Sequence, residues 1–173
     1  MTNVHQELLQ ITGQMLKTSG LRLAVAESCT GGLLGGALTE LSGSSEYMLG
    51  GVIAYDDSVK RNLLGVPAAL IESQGAVSAA TALAMARGVI RVTGAALGVA
   101  VTGISGPTGG TVSKPVGTTY IAIVAPDMER VEQFCWSSDR TTNRARTVDA
   151  ALSMISEYAQ KVIDRQQIEN QST

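Results

Sequence analysis

Residues 26–32 read Ala-Glu-Ser-Cys-Thr-Gly-Gly and follow the apolar run Leu21–Val25, so a hydroxyl and a thiol stand where a strand gives way to a glycine turn and a helix. A helix start carries N–H groups without intrahelical partners and the positive end of the macrodipole, which would place an oxyanion or phosphate site beside Ser28. Gly31 and Gly32 permit the sharp turn and the close approach of a ligand to the backbone. A plainer use fits equally: Ser28 or Thr30 caps a helix running from about Gly32 to Leu41. Cys29 is a second candidate nucleophile, because a helix start favours the thiolate, but it reads better as a small buried packing residue.

A nucleophile needs a base. The one histidine, His5, lies on a polar N-terminal segment and is expected to face solvent, which argues against Ser-His-Asp and Cys-His arrangements and excludes histidine-rich metal sites. Lysine and tyrosine remain. Tyr55 closes the apolar run Gly51–Tyr55 and Lys60 follows about one helical turn later, so both are predicted to reach the crevice that holds Ser28. A lysine accepts a proton only as the neutral amine, a form that desolvation or positive neighbours favour. The alternative for Lys60 is a solvent-facing ion pair with Asp56, four positions earlier.

Two further segments carry chemistry. Thr102–Thr111 holds four glycines, a proline and several hydroxyls, a composition suited to a phosphate, a ribose or a developing oxyanion, or simply to a tight connector. It lacks the Gly-Lys-Ser/Thr of a Walker A loop, and no Gly-x-Gly-x-x-Gly follows a strand, so a dinucleotide fold is unsupported. Arg140, Arg144 and Arg146 cluster at the start of the last predicted helix, where positive charge opposes the dipole. Arg140 and Arg144 share a face and could hold an anionic group, or form a solvated basic turn with Asp139 and Asp149.

These residues must be positioned by secondary structure. Val4, Leu8, Ile11, Met15 and Leu16 recur at helical spacing, and Gly20 stands where a helix would end. Strands are predicted at Leu21–Ala26, Gly51–Tyr55 and Ala95–Val101, and a hairpin from Thr118–Val124 and Val131–Trp136. Helices are predicted at Gly32–Leu41, Asp56–Leu64, Pro67–Glu72, Ser78–Val92 with Ser78 as N-cap, and Arg140–Ile163. Strands alternating with helices, then a hairpin, imply a three-layer α/β/α sandwich around a mixed, mostly parallel sheet. Glu27–Gly32, Tyr55–Lys60 and Thr102–Thr111 all follow strands, at the edge where such sheets place their sites.

With 173 residues and 45% hydrophobic content the chain suits one domain, expected over residues 1–163, with 164–173 a polar, disordered tail. No apolar run approaches the roughly 20 residues needed to span a bilayer, and residues 1–10 lack the features of a signal peptide, so no membrane partner and a cytoplasmic location are expected. Two cysteines support neither a disulfide framework nor a zinc cluster, and a net charge of −2 argues against a nucleic-acid partner. No cofactor and no metal is called for.

Five motifs in order, Ala26–Gly32, Gly51–Tyr55 with Lys60, Gly75-Ala76-Val77-Ser78, Thr102-Gly103-Ile104-Ser105-Gly106-Pro107 and Lys114-Pro115-Val116-Gly117-Thr118, resemble the CinA C-terminal domain family. That family includes stand-alone nicotinamide mononucleotide deamidases, and the resemblance covers about residues 5–160. It implies a metal-free amidohydrolase of pyridine-nucleotide salvage that converts this nucleotide to nicotinate mononucleotide and ammonia. By motif, Ser28 would attack the carboxamide carbon, Lys60 would be its base, and Tyr55 would orient or shuttle the proton. N–H groups near Thr30 and Gly31 would stabilise the oxyanion, while Thr102, Gly103 and Ser105, with Arg140 and Arg144, would bind the nucleotide. The chain departs from the common family pattern at Ser105, where alanine is commoner, and at Ser137-Ser138-Asp139-Arg140, where Gly-Asp-Arg is commoner. The family also suggests a homodimer. Two alternatives stand beside the deamidase: a non-catalytic ligand-binding or regulatory domain, and an amidase for another small amide.

Overall fold

The computed structural model describes residues 3–171. Helix α1 (Asn3–Ser19) ends at Gly20, whose φ of 67° is a left-handed conformation that glycine adopts without steric penalty. Strand β1 (Leu23–Glu27), helix α2 (Leu33–Thr39), strand β2 (Met48–Ile53), helices α3 (Asp57–Asn62), α4 (Ala68–Gln74) and α5 (Ala79–Thr93), and strand β3 (Leu97–Gly103) follow. Strands β4 (Thr118–Ala125) and β5 (Met128–Cys135) form the hairpin, and α6 (Arg140–Gln171) closes the chain. Ser78 caps α5 as expected, its Oγ accepting from the Thr81 N–H at 3.2 Å.

The five strands are ordered β2-β1-β3-β4-β5. β1 pairs in parallel with both β2 and β3, and β4 and β5 add on in antiparallel fashion, so the sheet is mixed and its parallel strands share one carboxyl edge. Helices cover both faces, and the faces differ in bulk. Leu23, Val25, Leu97, Val99, Val101, Ile121 and Ile123 point toward α1, α2 and α6, whereas Ala24, Ala26, Ala100 and Ala122 point toward α5. The small face lets α5 come very near. A Cβ on Gly98 would lie 2.4 Å from the Ala86 carbonyl oxygen, and one on Gly88 would lie 2.2 Å from that of Leu64.

Four expectations change. On α1 the buried positions are Leu9, Thr12, Gly13, Leu16 and Ser19, with Leu8 partly buried, while Ile11 is exposed; Thr12 Oγ1 bonds Ser156 Oγ on α6 at 2.7 Å, which holds that face inward. The Val4 side chain lies outside the described residues. His5 does not face solvent, since its Nδ1 lies 2.5 Å from Asp149 Oδ1 on α6. Strand β2 begins three residues before Gly51 and ends at Ile53, leaving Tyr55 on the loop beyond it. Helix α6 does not stop at Ile163 but runs through Gln171, held by an ion pair between Arg165 and Asp127 and by Gln166 Nε2 donating to the Ser19 carbonyl at 3.1 Å. Residues 172–173 of the expected tail lie outside the described residues. Among the described residues no helix is long and apolar enough to cross a membrane.

Candidate functional site

The turn after β1 is built around Glu27, which continues the alternation of Leu23 and Val25 toward α2. Its carboxylate is 1% exposed and accepts the N–H groups of Gly32 at 2.9 Å, Leu34 at 3.1 Å and Gly35 at 2.7 Å. The start of α2 is therefore already occupied by an internal anion, a strong charge-assisted arrangement. Neither Ser28 nor Thr30 caps the helix: the N-cap is Gly32 at φ 97°, with no side-chain cap bond of its own. The Gly31 N–H donates to the Ser28 carbonyl at 3.1 Å, so it is not free for an oxyanion. Cys29 and Thr30 supply the N–H groups of this turn that have no partner in another residue among those described. Ser28 itself is anchored by its N–H to the Val101 carbonyl at 2.9 Å, and one residue earlier the Glu27 carbonyl accepts from Ala54 N at 2.7 Å.

Beyond β2, Asp56 caps α3 by accepting from the Ser58 N–H at 2.8 Å. Lys60 is 2% exposed, and its Nζ donates to the Tyr55 carbonyl at 3.1 Å and to Asp57 Oδ1 at 3.0 Å. The solvent-facing pair with Asp56 is thus not formed. The partner is Asp57, three positions before the lysine, because Asp56 is spent on the cap. The Tyr55 ring is 59% exposed and its hydroxyl accepts from Arg140 Nη2 at 3.2 Å. Tyr55 consequently orients Lys60 through its backbone and Arg140 through its ring.

The segment after β3 is a held loop. Thr102 Oγ1 donates to the Ala76 carbonyl at 2.8 Å, which fixes the Gly75–Ser78 turn against the strand end. Gly103 stays in the ladder opposite Thr119, where a Cβ would lie 2.8 Å from the Thr118 carbonyl. The first turn of α6 ties the loops together. Arg140 Nη1 donates to the Gly106 carbonyl at 2.9 Å, and Arg144 Nη2 to that of Thr30 at 2.6 Å. Between them Asn143, 1% exposed, donates to the carbonyls of Ser105 and Ser138 and accepts from the Ser138 N–H.

These strand ends enclose a cavity of about 350 Å3 that brings together Ser28, Tyr55, Lys60, Thr102, Gly103, Ser105 and Arg140. Thr30, Gly31 and Arg144 do not line it. Thr30 is fully buried, and Arg144 faces its carbonyl rather than the cavity, so the two arginines do not converge on one anion. Cys29 borders the cavity, but burial pushes its thiol up to about 11, against the smaller opposing effect of a hydrogen bond with Ser105. Sequence reasoning missed Glu27, Asp57 and Asn143. The spacing of Asp57 to Lys60 was a usable signal; the other two act on backbone groups of distant segments, which no side-chain pattern marks. Among the described residues no group of three or more His, Cys, Asp or Glu is placed to hold a metal ion.

Known proteins share this arrangement of elements. A family model of the CinA C-terminal domain matches residues 5–159. The CinA-like protein of Desulfotalea psychrophila is 48% identical over 149 residues, covering 86% of this chain and 36% of that protein. The chain spans a little over a third of the length of the curated relatives it matches. Among solved structures, the competence/damage inducible protein CihA of Agrobacterium tumefaciens is 40% identical with a TM-score of 0.84, covering 90% of this chain and 95% of that one. The competence damage-inducible protein A of Klebsiella pneumoniae is 35% identical with a TM-score of 0.85, covering 90% and 96%. With the match running from the first helix through most of the last and taking in every strand that borders the cavity, the chain belongs to the CinA C-terminal domain family.

Proposed function

We propose that this protein is a nicotinamide mononucleotide deamidase acting through Ser28 and Lys60. The observation that carries the reading is the meeting of a buried serine and a buried lysine in one cavity whose walls also offer hydroxyls, glycine backbone, an arginine and the Asp57 carboxylate. Ser28 Oγ attacks the carboxamide carbon while its proton passes to Lys60 Nζ, which can accept it only as the free amine, and the carbonyl oxygen becomes an oxyanion. The N–H of Cys29, the residue that borders the cavity beside Ser28, is the donor nearest in sequence for that charge, in place of the N–H groups near Thr30 and Gly31 that the resemblance implies. Collapse of the intermediate breaks the C–N bond, Lys60 hands its proton to the leaving nitrogen, and ammonia departs. Water then attacks the ester carbon, giving its proton to Lys60, and the acyl C–O bond breaks to release nicotinate mononucleotide and return the proton to Ser28.

The test is ammonia release from the purified protein with nicotinamide mononucleotide, nicotinamide and glutamine in parallel. Release from the mononucleotide alone supports the reading; release from glutamine or free nicotinamide at a comparable rate replaces it with a broader amidase. One observation favours a second reading. Lys60 bonds Asp57 and the Tyr55 carbonyl rather than Ser28, as suits a cation that binds an anionic ligand without turnover. Saturable binding of the mononucleotide with no ammonia formed would establish that reading instead.

A further inference from the structure

Among the described residues Glu27 is the one buried carboxylate; it directly precedes the candidate nucleophile and does not line the cavity. A carboxylate taken out of water is costly unless hydrogen bonds replace its hydration. Here three backbone N–H groups do so, all from the start of α2, at the far end of the turn that begins at Ser28. One end of the Ser28 peptide is already fixed by the sheet, through Ala54 N to the Glu27 carbonyl and Ser28 N to the Val101 carbonyl. The other end leads into a turn of positive-φ glycines, Gly31 at 60° and Gly32 at 97°, which by themselves permit many paths.

We propose that Glu27 is a positioning residue for Ser28: its carboxylate draws α2 back against the end of β1 and so fixes the turn, including the Cys29 N–H, in the shape that aims Ser28 into the cavity. One neighbour is shaped to admit it: Gly35 has no side chain where a Cβ would sit 3.3 Å from Glu27 Oε1. The inference also accounts for the internal occupation of the α2 start, which leaves this helix end serving the fold of the turn rather than an external anion.

The proposal rests on the assignment of Ser28 as nucleophile, and the experiment separates the two. Glu27→Gln keeps the shape of the side chain but turns one acceptor oxygen into an NH2 group facing an amide donor. We expect kcat with nicotinamide mononucleotide to fall roughly ten- to hundredfold while KM stays within about twofold. Phosphonylation of Ser28 by a fluorophosphonate probe should slow in parallel. If the folded variant melts at a lower temperature yet keeps wild-type kcat and labelling rate, Glu27 is only structural and the proposal is overturned. Should Glu27→Gln fail to fold, Gly35→Ala, which crowds Oε1, is compared with Gly36→Ala, where a Cβ would meet nothing within 4 Å. Slower labelling in Gly35→Ala alone upholds the proposal, and equal rates overturn it. Ser28→Ala decides the underlying assignment: full turnover in that protein removes the nucleophile reading, whereas an inactive Ser28→Ala beside an unaffected Glu27→Gln removes only the positioning role.

Discussion

Ser28 and Cys29 are adjacent and both reach the cavity, so their chemistry must be told apart by environment. The Cys29 thiol, pushed up to about 11 by burial, is almost wholly protonated at neutral pH and is a poor nucleophile there. Cys29→Ala should therefore keep most of the activity, whereas Ser28→Ala should lose it by several orders of magnitude in the ammonia assay. Iodoacetamide at pH 7.5 should modify exposed Cys135 and spare Cys29, with Cys29 labelling rising only as pH approaches about 11. Peptide mapping by mass spectrometry checks this, and loss of turnover through Cys29 alkylation would transfer the nucleophile to the thiol. Lys60→Arg puts a permanent cation beside Asp57 that cannot serve as a base, since a guanidinium stays protonated; turnover within about tenfold of wild type, roughly 1.4 kcal/mol of barrier, would show that Lys60 is not the base. That Ser28, Tyr55 and Lys60 meet in one cavity was legible because strand ends of a parallel sheet converge and each of these residues follows a strand. Arg144 was misread for a physical reason: sharing a helix face with Arg140 fixes its direction, not the depth at which a nearer carbonyl captures it.

At the level of elements, the first turn of α6 acts as a clasp over the cavity loops. Asn143→Ala would strand the Ser105 and Ser138 backbone groups, so a loss of about 1–3 kcal/mol is expected, read from the urea midpoint, together with a lower kcat. Further along the helix, the Tyr158 hydroxyl donates to Asp127 Oδ1 at 2.6 Å, and Arg165 pairs with the same carboxylate. Burial first, then the Asp127 bond, pushes the Tyr158 phenol up to about 12. A native pKa above the unfolded value means that the stabilisation is complete below about 10 and is lost as pH rises toward about 12. Wild-type urea midpoints should fall across that window more steeply than those of Tyr158→Phe; identical slopes would detach Tyr158 from alkaline unfolding. Asp127 has the opposite sign. Its carboxyl is held below its ordinary range by Tyr158 first and then Arg165, so its contribution is present above the unfolded value and is lost as pH falls through the lowered one. These contacts also explain why the C-terminal extension of α6 was invisible to periodicity. Its residues after Ile163 are held by polar bonds to a hairpin tip and to the end of α1, not by an apolar stripe.

Across the whole molecule, the three-layer plan followed from the alternation of apolar runs and helical spacing, but the unequal bulk of the two sheet faces sets where change is tolerated. On the α5 side backbones nearly touch, so Gly88→Ala must push the Leu64 carbonyl aside and should destabilise the protein by about 1–3 kcal/mol. Gly36→Ala, on open α2 surface, should instead be neutral or stabilise by up to about 1 kcal/mol. Chemical denaturation of the two variants tests the contrast, and equal midpoints would refute it. The same asymmetry forecasts how the sequence can drift. In a saturation library selected only for folding, odd-numbered positions 23 and 25 of β1 and 97, 99 and 101 of β3 would exchange freely among Val, Ile and Leu. Even-numbered positions 24, 26 and 100 would accept almost nothing larger than alanine, and 98 almost nothing but glycine, so permissive and restrictive columns would alternate residue by residue up to the strand ends where the cavity begins.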